Sequence, residues 1–380
     1  MSNLKSSNIL VAIPCLLLGG TEYQTLYLVK ALSQSNYKVT LLCYFEYNTI
    51  MVEYMKEAGA NVILMSKDGL RPVGVFPTIK TLFLGIRKAM KMYSPDIVHV
   101  QYMAPGALAI LLFKLLGAKK IIATAHVPGH IYKRKWIPQI VAKYITNMFM
   151  TVSLSSEESF FDEKPKLYDK GLIKSGRKHC TLYNCVEITQ KVKKVKSKKD
   201  KNFTLGVVSR LSHEKGIDRL IEAMPIILEK IPNTNLLIIG DGAKRISLEK
   251  QANKLQVNHA ITWAGLQPKE SLVNYYTQMD LVIIPSRFEG FGLTAIEAMS
   301  YTIPVVASNV DGLKEIIKDD NSGILTDASS PSLLANDIIS LLEDNDKRNT
   351  IGINAYSRVK AVFSYNSYKK KIVNLYDELY

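Results

Sequence analysis

Two clusters of side chains in this 380-residue chain have the types and spacing to do chemistry on an anion. The first runs Ser209-Arg210-Leu211-Ser212-His213-Glu214-Lys215-Gly216-Ile217-Asp218 and places an arginine and a lysine five residues apart. The second runs from Pro285 to Met299. It carries Glu289, then Gly290-Phe291-Gly292-Leu293, then Glu297. An apolar run at 281–284 precedes it and an Ala- and Met-rich helical pattern ends it. A strand-to-helix turn of this kind offers backbone N–H groups to an anion. Two cations beside it suit a diphosphate, each charge-assisted hydrogen bond contributing roughly 1.5–3 kcal/mol. A carboxylate accepts from two neighbouring hydroxyls, so Glu289 and Glu297 suit a sugar or a ribose. Either Glu alone reads equally well as a solvated carboxylate, and an Arg and a Lys five apart on a loop are usually surface charges. The pairing of the two clusters is what carries the expectation.

The elements that must position these residues alternate along the chain. Strand-like runs fall at 9–13, 38–44, 61–65, 97–100, 120–124 and 149–152, and helical patterns at 21–33, 77–92, 106–116 and from 155 onward. Residues 127–150 form a basic, aromatic segment that includes Lys133-Arg134-Lys135-Trp136. The alternation stops at 191–201, where seven lysines face one aspartate. It restarts with strand-like runs at 203–208, 235–239, 260–263, 281–284 and 304–307. Strands separated by helices predict parallel sheets covered on both faces. The expected organisation is a first Rossmann-like domain at 1–190, a basic linker or loop at 191–201 and a second domain at 202–364. Ligands of such folds sit at the carboxyl ends of the strands, in a cleft between the domains.

Composition narrows the class. The chain is long enough for two cores, and 47% apolar residues exclude disorder. Its net charge of +15 is uneven. Residues 1–190 hold 23 basic and 12 acidic side chains, net +11, while residues 202–380 hold 19 and 21, net −2. The basic half predicts an anionic partner, a membrane surface or an acidic acceptor. No zinc-finger spacing, RNP-type motif or basic-aromatic strand specifies nucleic acid. Cys15, Cys43, Cys180 and Cys185 lack metal spacing and fit a reduced, cytoplasmic protein. The apolar residues 9–18 read as a first strand and its glycine turn, because Pro14 interrupts them and no small-x-small cleavage site follows. The apolar run 104–118 is too short to span a bilayer and contains Lys114.

Taken together, Arg210-Leu211…Glu214-Lys215-Gly216 and Glu289-Gly-Phe-Gly-Leu…Glu297-Ala resemble the paired motifs of the family 4 retaining glycosyltransferases (glycosyl transferases group 1). The resemblance extends over essentially the whole chain. Gly19-Gly20-Thr21-Glu22 resembles the family's first glycine loop, and Ala125-His126 the position of its histidine after a first-domain strand. Tyr183-Asn184-Cys185-Val186-Glu187 resembles an Asn-Gly-Val-Asp element, and Phe363-Ser364-Tyr365 a closing aromatic element. Ser209, Cys185 and Glu187 depart from the common pattern, and none is among the charged groups of the site.

The resemblance implies the GT-B architecture, two facing Rossmann-like domains, with a helix at 365–380 crossing back onto the first. It implies that Arg210 and Lys215 hold the donor diphosphate, that Glu297 binds the ribose and Glu289 the donor sugar. The amides of Phe291, Gly292 and Leu293 would meet phosphate or sugar oxygens. Gly19 and Gly20 would allow close approach to the phosphates, and His126 would lie beside the sugar. No metal and no other cofactor is implied, since cations and helix dipoles supply the charge stabilisation. Asp344-x-Asp346 is expected to be a helix cap. The expected enzyme is a retaining hexosyl- or N-acetylhexosaminyl-type transferase of the bacterial envelope polysaccharide kind. It would move sugar from a nucleoside-diphosphate donor, a UDP-sugar foremost, to a glycan or lipid-linked acceptor. It would work in the cytoplasm or peripherally on the inner face of the plasma membrane. Two rival readings use the same residues, a nucleotide-sugar epimerase and a non-catalytic nucleotide-sugar-binding subunit. A dehydrogenase is disfavoured because no G-x-G-x-x-G follows a strand.

Overall fold

Thirteen strands among the described residues form two all-parallel sheets. The computed structural model describes residues 7–102, 106–132, 134, 136–188, 202–318 and 321–380. The first sheet contains β1 (Asn8–Ile13), β2 (Lys38–Cys43), β3 (Ala60–Leu64), β4 (Ile97–Gln101), β5 (Lys120–Ala125), β6 (Met148–Thr151) and β7 (His179–Thr181) in the order β3-β2-β1-β4-β5-β6-β7. The second contains β8 (Phe203–Val208), β9 (Thr234–Ile239), β10 (Ile261–Gly265), β11 (Leu281–Ile284), β12 (Val305–Ser308) and β13 (Ile324–Thr326) in the order β10-β9-β8-β11-β12-β13. Both are doubly wound. Strand order reverses between β1 and β4 in one sheet and between β8 and β11 in the other, and those are the points where the loops diverge to leave a crevice.

The chain divides into two compact units, residues 1–185 with 365–380, and residues 186–364. Both crossings lie close together, since Val186 bridges Ser364 and its N–H donates to the Phe363 carbonyl at 2.9 Å. The central strands are apolar on both faces, as parallel strands covered by helices must be. Ile9, Val11 and Ile13 of β1 enter one core with the Gly20–Ser33 helix, and Leu10 and Ala12 enter the other with the Val75–Tyr93 helix. Ile372, Leu375 and Tyr376 of the Tyr365–Leu379 helix are buried in the first of these cores.

Among the elements with no counterpart in the sequence pattern are the Thr49–Glu57 helix and strands β7 and β13. The Thr49–Glu57 helix is capped by Asn48, whose side chain accepts from the Ile50 N–H at 2.9 Å. Strands β7 and β13 are three residues each, below the length at which alternation can be read. What holds β7 in place is a buried carboxylate. Glu157 accepts from His179 Nδ1 at 2.7 Å, Thr181 Oγ1 at 2.7 Å and Arg177 Nη2 at 3.0 Å. Burial by itself would raise the Glu157 pKa, and these hydrogen bonds outweigh it and hold the carboxyl below its ordinary value. The 127–150 segment contains a short helix, Trp136–Ile140, that runs on into a π-helical turn, Val141–Ile145. Lys133, Lys135 and the 191–201 segment lie outside the described residues. Asp344 caps the Asn345–Arg358 helix through the Lys347 N–H at 2.9 Å.

His99 on β4 ties the Tyr365–Leu379 helix to the sheet. Its Nδ1 lies 2.7 Å from the Tyr376 hydroxyl and its Nε2 2.7 Å from Thr124 Oγ1. Desolvation, assisted by the nearby His126, pushes its pKa down to about 3. The unfolded chain takes up this proton near pH 6.5 and the folded chain does not until about pH 3. The stability this contributes is therefore complete above pH 6.5 and is lost as pH falls toward 3. Thermal midpoints of the wild type should drop across that window more steeply than those of His99→Gln. Parallel pH profiles would remove His99 as the cause.

Candidate active site

In the second unit the loops after β8 and β11 leave the sheet on either side of its switch point and are locked to each other. Arg287 makes a two-pronged ion pair with Asp218, Nη1 to Oδ1 at 2.8 Å and Nη2 to Oδ2 at 2.6 Å. Its Nη1 also donates to the His213 carbonyl at 2.8 Å, and its backbone N–H to the Glu214 carbonyl at 2.8 Å. Hydrogen bonding from Arg287 holds the Asp218 carboxyl below its ordinary pKa. Gly216 allows the loops to meet. It has φ of +62°, and a Cβ there would stand 2.0 Å from the Pro285 carbonyl oxygen.

That clamp brings Lys215 to Glu289. Lys215 Nζ lies 2.7 Å from Glu289 Oε2, with side chains only 19% and 15% exposed. Ser286 Oγ donates to the same oxygen at 3.3 Å, and the Glu289 N–H donates to Asp311 Oδ2 at 3.2 Å. An ammonium has three N–H donors, and Glu289 takes one of them. Arg210 stands further out, 79% exposed, with Nη2 3.6 Å from Glu214 Oε1. Gly292, at φ of +111°, caps the Leu293–Ser300 helix, and Phe291 is buried edge-on against the Phe363 ring. Glu297 lies on that helix. Its Oε2 accepts from the Tyr276 hydroxyl at 3.0 Å, and burial followed by the charge of Glu297 pushes the Tyr276 pKa well up, so the phenol stays a donor.

The first unit gathers its own candidates at the carboxyl ends of β1, β4 and β5. Gly19 caps the Gly20–Ser33 helix directly after the β1 loop, in extended backbone. A Cβ on Gly19 would come within 2.5 Å of Glu22 Oε2, so the loop closes on its own helix. His126 follows β5. Its Nε2 lies 2.8 Å from Gln101 Oε1 on β4, and the Tyr102 ring is 5.3 Å from the imidazole. Desolvation takes the His126 pKa down to about 3, so it is a neutral hydrogen-bonding group at physiological pH. A cavity of about 20 Å³ lies among Gln24, His99, Gln101, Thr124, His126 and Asn184, room for one water with polar partners. Gln24 also makes two hydrogen bonds to the Cys185 backbone, at 2.8 and 2.9 Å.

Each sequence-derived candidate thus stands at a strand's carboxyl end or on the helix that follows. Lys215 and Glu289 touch, whereas Arg210 pairs on its own loop and Glu297 has a separate partner. Sequence alone assigns no role to Arg287, Asp218, Tyr276 or Gln101, and does not single out Gly240-Asp241-Gly242. A Cβ on Gly240 or Gly242 would collide with the carbonyl of Ser209 or of Leu211, so this loop packs directly beside Arg210. The signal for it is two glycines straight after an apolar strand. Among the described residues no group of three His, Cys, Asp or Glu side chains is arranged to hold a metal ion.

The description Glycosyltransferase Family 4 matches residues 18–154, and Glycosyl transferases group 1 matches residues 188–358. The chain belongs to the family 4, group 1 glycosyltransferases. An uncharacterized glycosyltransferase of Methanocaldococcus jannaschii is 40% identical over 44% of this chain and 43% of its own length. The capsular polysaccharide biosynthesis glycosyltransferase CapM of Staphylococcus aureus is 28% identical over 46% of each chain. The chain therefore matches less than half the length of either relative. The crystal structure of Anabaena HepE in complex with UDP and glucose superposes with a TM-score of 0.79, covering 97% of this chain and 99% of that one at 19% identity. The fold of this glycosyltransferase-family chain is GT-B.

The loop clamp can be tested through its glycine. Gly265 has nearly the same φ, +67°, and nothing lies within 4 Å of where its Cβ would stand. Gly265→Ala should cost about 1–2 kcal/mol for the left-handed backbone alone. Gly216→Ala should cost clearly more by urea unfolding, because the Pro285 carbonyl must also move. Equal losses would show that the two loops do not depend on this close approach.

Proposed function

We propose that the protein is a metal-independent, retaining glycosyltransferase that moves a hexosyl or N-acetylhexosaminyl group from a UDP-sugar to a glycan or lipid-linked acceptor. The observation that carries this reading is the Lys215–Glu289 pair at the β8/β11 switch point, 2.7 Å apart and largely shielded from solvent. A cation and a carboxylate held side by side match the two halves of a sugar nucleotide, diphosphate and hydroxyls. Lys215 and Arg210 take the diphosphate oxygens, with the amides of Phe291, Gly292 and Leu293 at the helix N-terminus. Glu289 accepts from the sugar hydroxyls. Glu297, oriented by Tyr276, accepts from the ribose. In the first unit, the loop at Gly19 and Gly20 and the neutral His126, fixed by Gln101, are groups of the kinds that suit a phosphate and a sugar hydroxyl.

The reaction breaks the bond between the anomeric carbon and the diphosphate oxygen and forms one from that carbon to the acceptor oxygen. Attack comes on the face the diphosphate leaves, and the acceptor's hydroxyl proton passes to the departing phosphate oxygen. Charge grows on that phosphate as the bond breaks. Lys215 and Arg210 stabilise it where it develops, which is the role a metal plays elsewhere. A place in envelope polysaccharide synthesis is supported by the relative named for capsular polysaccharide, and UDP by the neighbour solved with UDP and glucose. No helix among the described residues is long and apolar enough to cross a membrane. The basic first unit supports a cytoplasmic enzyme working peripherally on an anionic membrane.

Calorimetry with UDP tests the assignment. Lys215→Ala and Arg210→Ala should each weaken UDP binding about ten- to a hundredfold, the equivalent of one charge-assisted contact. Glu297→Gln should weaken UDP as well, and Glu289→Gln should chiefly lower sugar transfer measured by nucleotide release. UDP affinity unchanged in Lys215→Ala, Arg210→Ala and Glu297→Gln would overturn the site. Release that needs no acceptor, with the donor converted to another sugar nucleotide, would favour epimerisation.

A further inference from the structure

The Val75–Tyr93 helix carries two opposite faces, and only one of them is explained by the core. Leu82, Ile86 and Ala89 are buried against the sheet. The other face recurs at spacings of three and four residues through Phe76, Lys80, Phe83, Arg87 and Lys91, all exposed. A solvent face is normally polar. Here its first half carries a single charge, Lys80, among exposed apolar side chains. Phe76 is 86% exposed, Leu84 51% and Phe83 38%, and Val73 and Val75 just ahead are 95% and 72% exposed. Single exposed apolar residues need no explanation, but a stripe of them does.

The second half of that face is basic, and the charge is not local to it. Residues 69–156 contain twelve Lys and Arg and a single acid, Asp96, a net of +11. That equals the whole net charge of residues 1–190, so the remainder is neutral. The same segment builds the helices on one side of the first sheet, where the Val75–Tyr93 helix packs on Gly106–Leu115 and that helix packs on the Val141–Ile145 turn. Leu115, Trp136 and Tyr144 of these neighbours are 80%, 55% and 69% exposed. Exposed aromatics and long cations with almost no acid between them suit the boundary of an anionic bilayer, where rings enter the headgroup region and the cations meet lipid phosphates. Pairing with a second copy would bring like charges together.

We propose that this helix face, with the exposed side chains of its neighbours, is the surface by which the protein docks on an anionic phospholipid membrane. The inference rests on the membrane reading given above. It places the contact on a helix, where the sequence singles out only Lys133-Arg134-Lys135-Trp136.

Sedimentation of the full-length protein with vesicles tests it. One set is phosphatidylcholine alone, the other equal parts phosphatidylcholine and phosphatidylglycerol. The wild type should bind the anionic set and release with rising salt. Phe76→Ser with Phe83→Ser should lower that partitioning about tenfold or more. Arg87→Gln with Lys88→Gln and Lys91→Gln should abolish most of the preference for anionic vesicles and flatten the salt dependence. All five side chains are exposed, and an unchanged thermal midpoint and circular dichroism spectrum confirm folding; should the double variant not fold, Phe76→Ser alone gives the same readout. Wild type that binds neither vesicle overturns the membrane reading itself. Anionic binding undiminished in both helix variants overturns this surface alone. Concentration-dependent dimerisation that Phe76→Ser abolishes would make the face a self-association surface and also overturn the proposal.

Discussion

The Arg287–Asp218 clamp is the interaction on which the second unit's site depends. Two loops that leave a parallel sheet at its switch point diverge by default, since the helices they lead into pack on opposite faces of the sheet. Here a planar guanidinium spans them with two parallel hydrogen bonds to a carboxylate and a third to the His213 carbonyl. A lysine could not reproduce that geometry, because an ammonium is a point charge with no fork. With the loops fastened, Gly216 nests against Pro285, and Lys215 and Glu289 meet as a consequence. Charged residues in the site are therefore held by a second charged pair that does no chemistry.

The first unit uses neutral groups for the same purpose. His126 and His99 are both too desolvated to carry a proton at neutral pH, and both are oriented by uncharged partners, Gln101, Thr124 and Tyr376. The difference follows from what Lys215 and His126 are each proposed to meet, a phosphate oxygen and a sugar hydroxyl. Phosphate needs cations whose charge is stabilised by neighbours. A sugar needs hydrogen-bonding groups of fixed direction, and a protonated imidazole would be a poor substitute for one.

Much of this was legible in the chain. Alternating apolar runs and helical patterns pointed to two parallel sheets because buried parallel strands are apolar on both faces, a signal that survives without knowledge of contacts. The motif positions were legible because glycines and charged residues directly after strands occupy the carboxyl edge by construction. What escaped was whatever depends on partners distant in sequence. Arg287 and Asp218 are 69 residues apart, and Tyr276 and Glu297 are 21 apart, so no local pattern announces either pair. Gln101 sits in a buried strand, where a polar residue reads as an interruption until its neighbour on the next strand is known. Strand β7 is polar and three residues long, and it exists because the buried Glu157 needs His179 and Thr181.

The Tyr365–Leu379 helix has a consequence for how the protein is made. Tyr376 bonds to His99 across 277 positions, and between them the ribosome must produce the whole second unit. At synthesis rates of roughly 5–20 residues per second, that interval is on the order of tens of seconds. Throughout it, the core formed by Ile9, Leu28 and Ile97 lacks the helix that covers it, and the His99 imidazole lacks its phenol. The nascent first sheet thus spends its early life with an apolar face open, a natural client for a chaperone until that helix arrives.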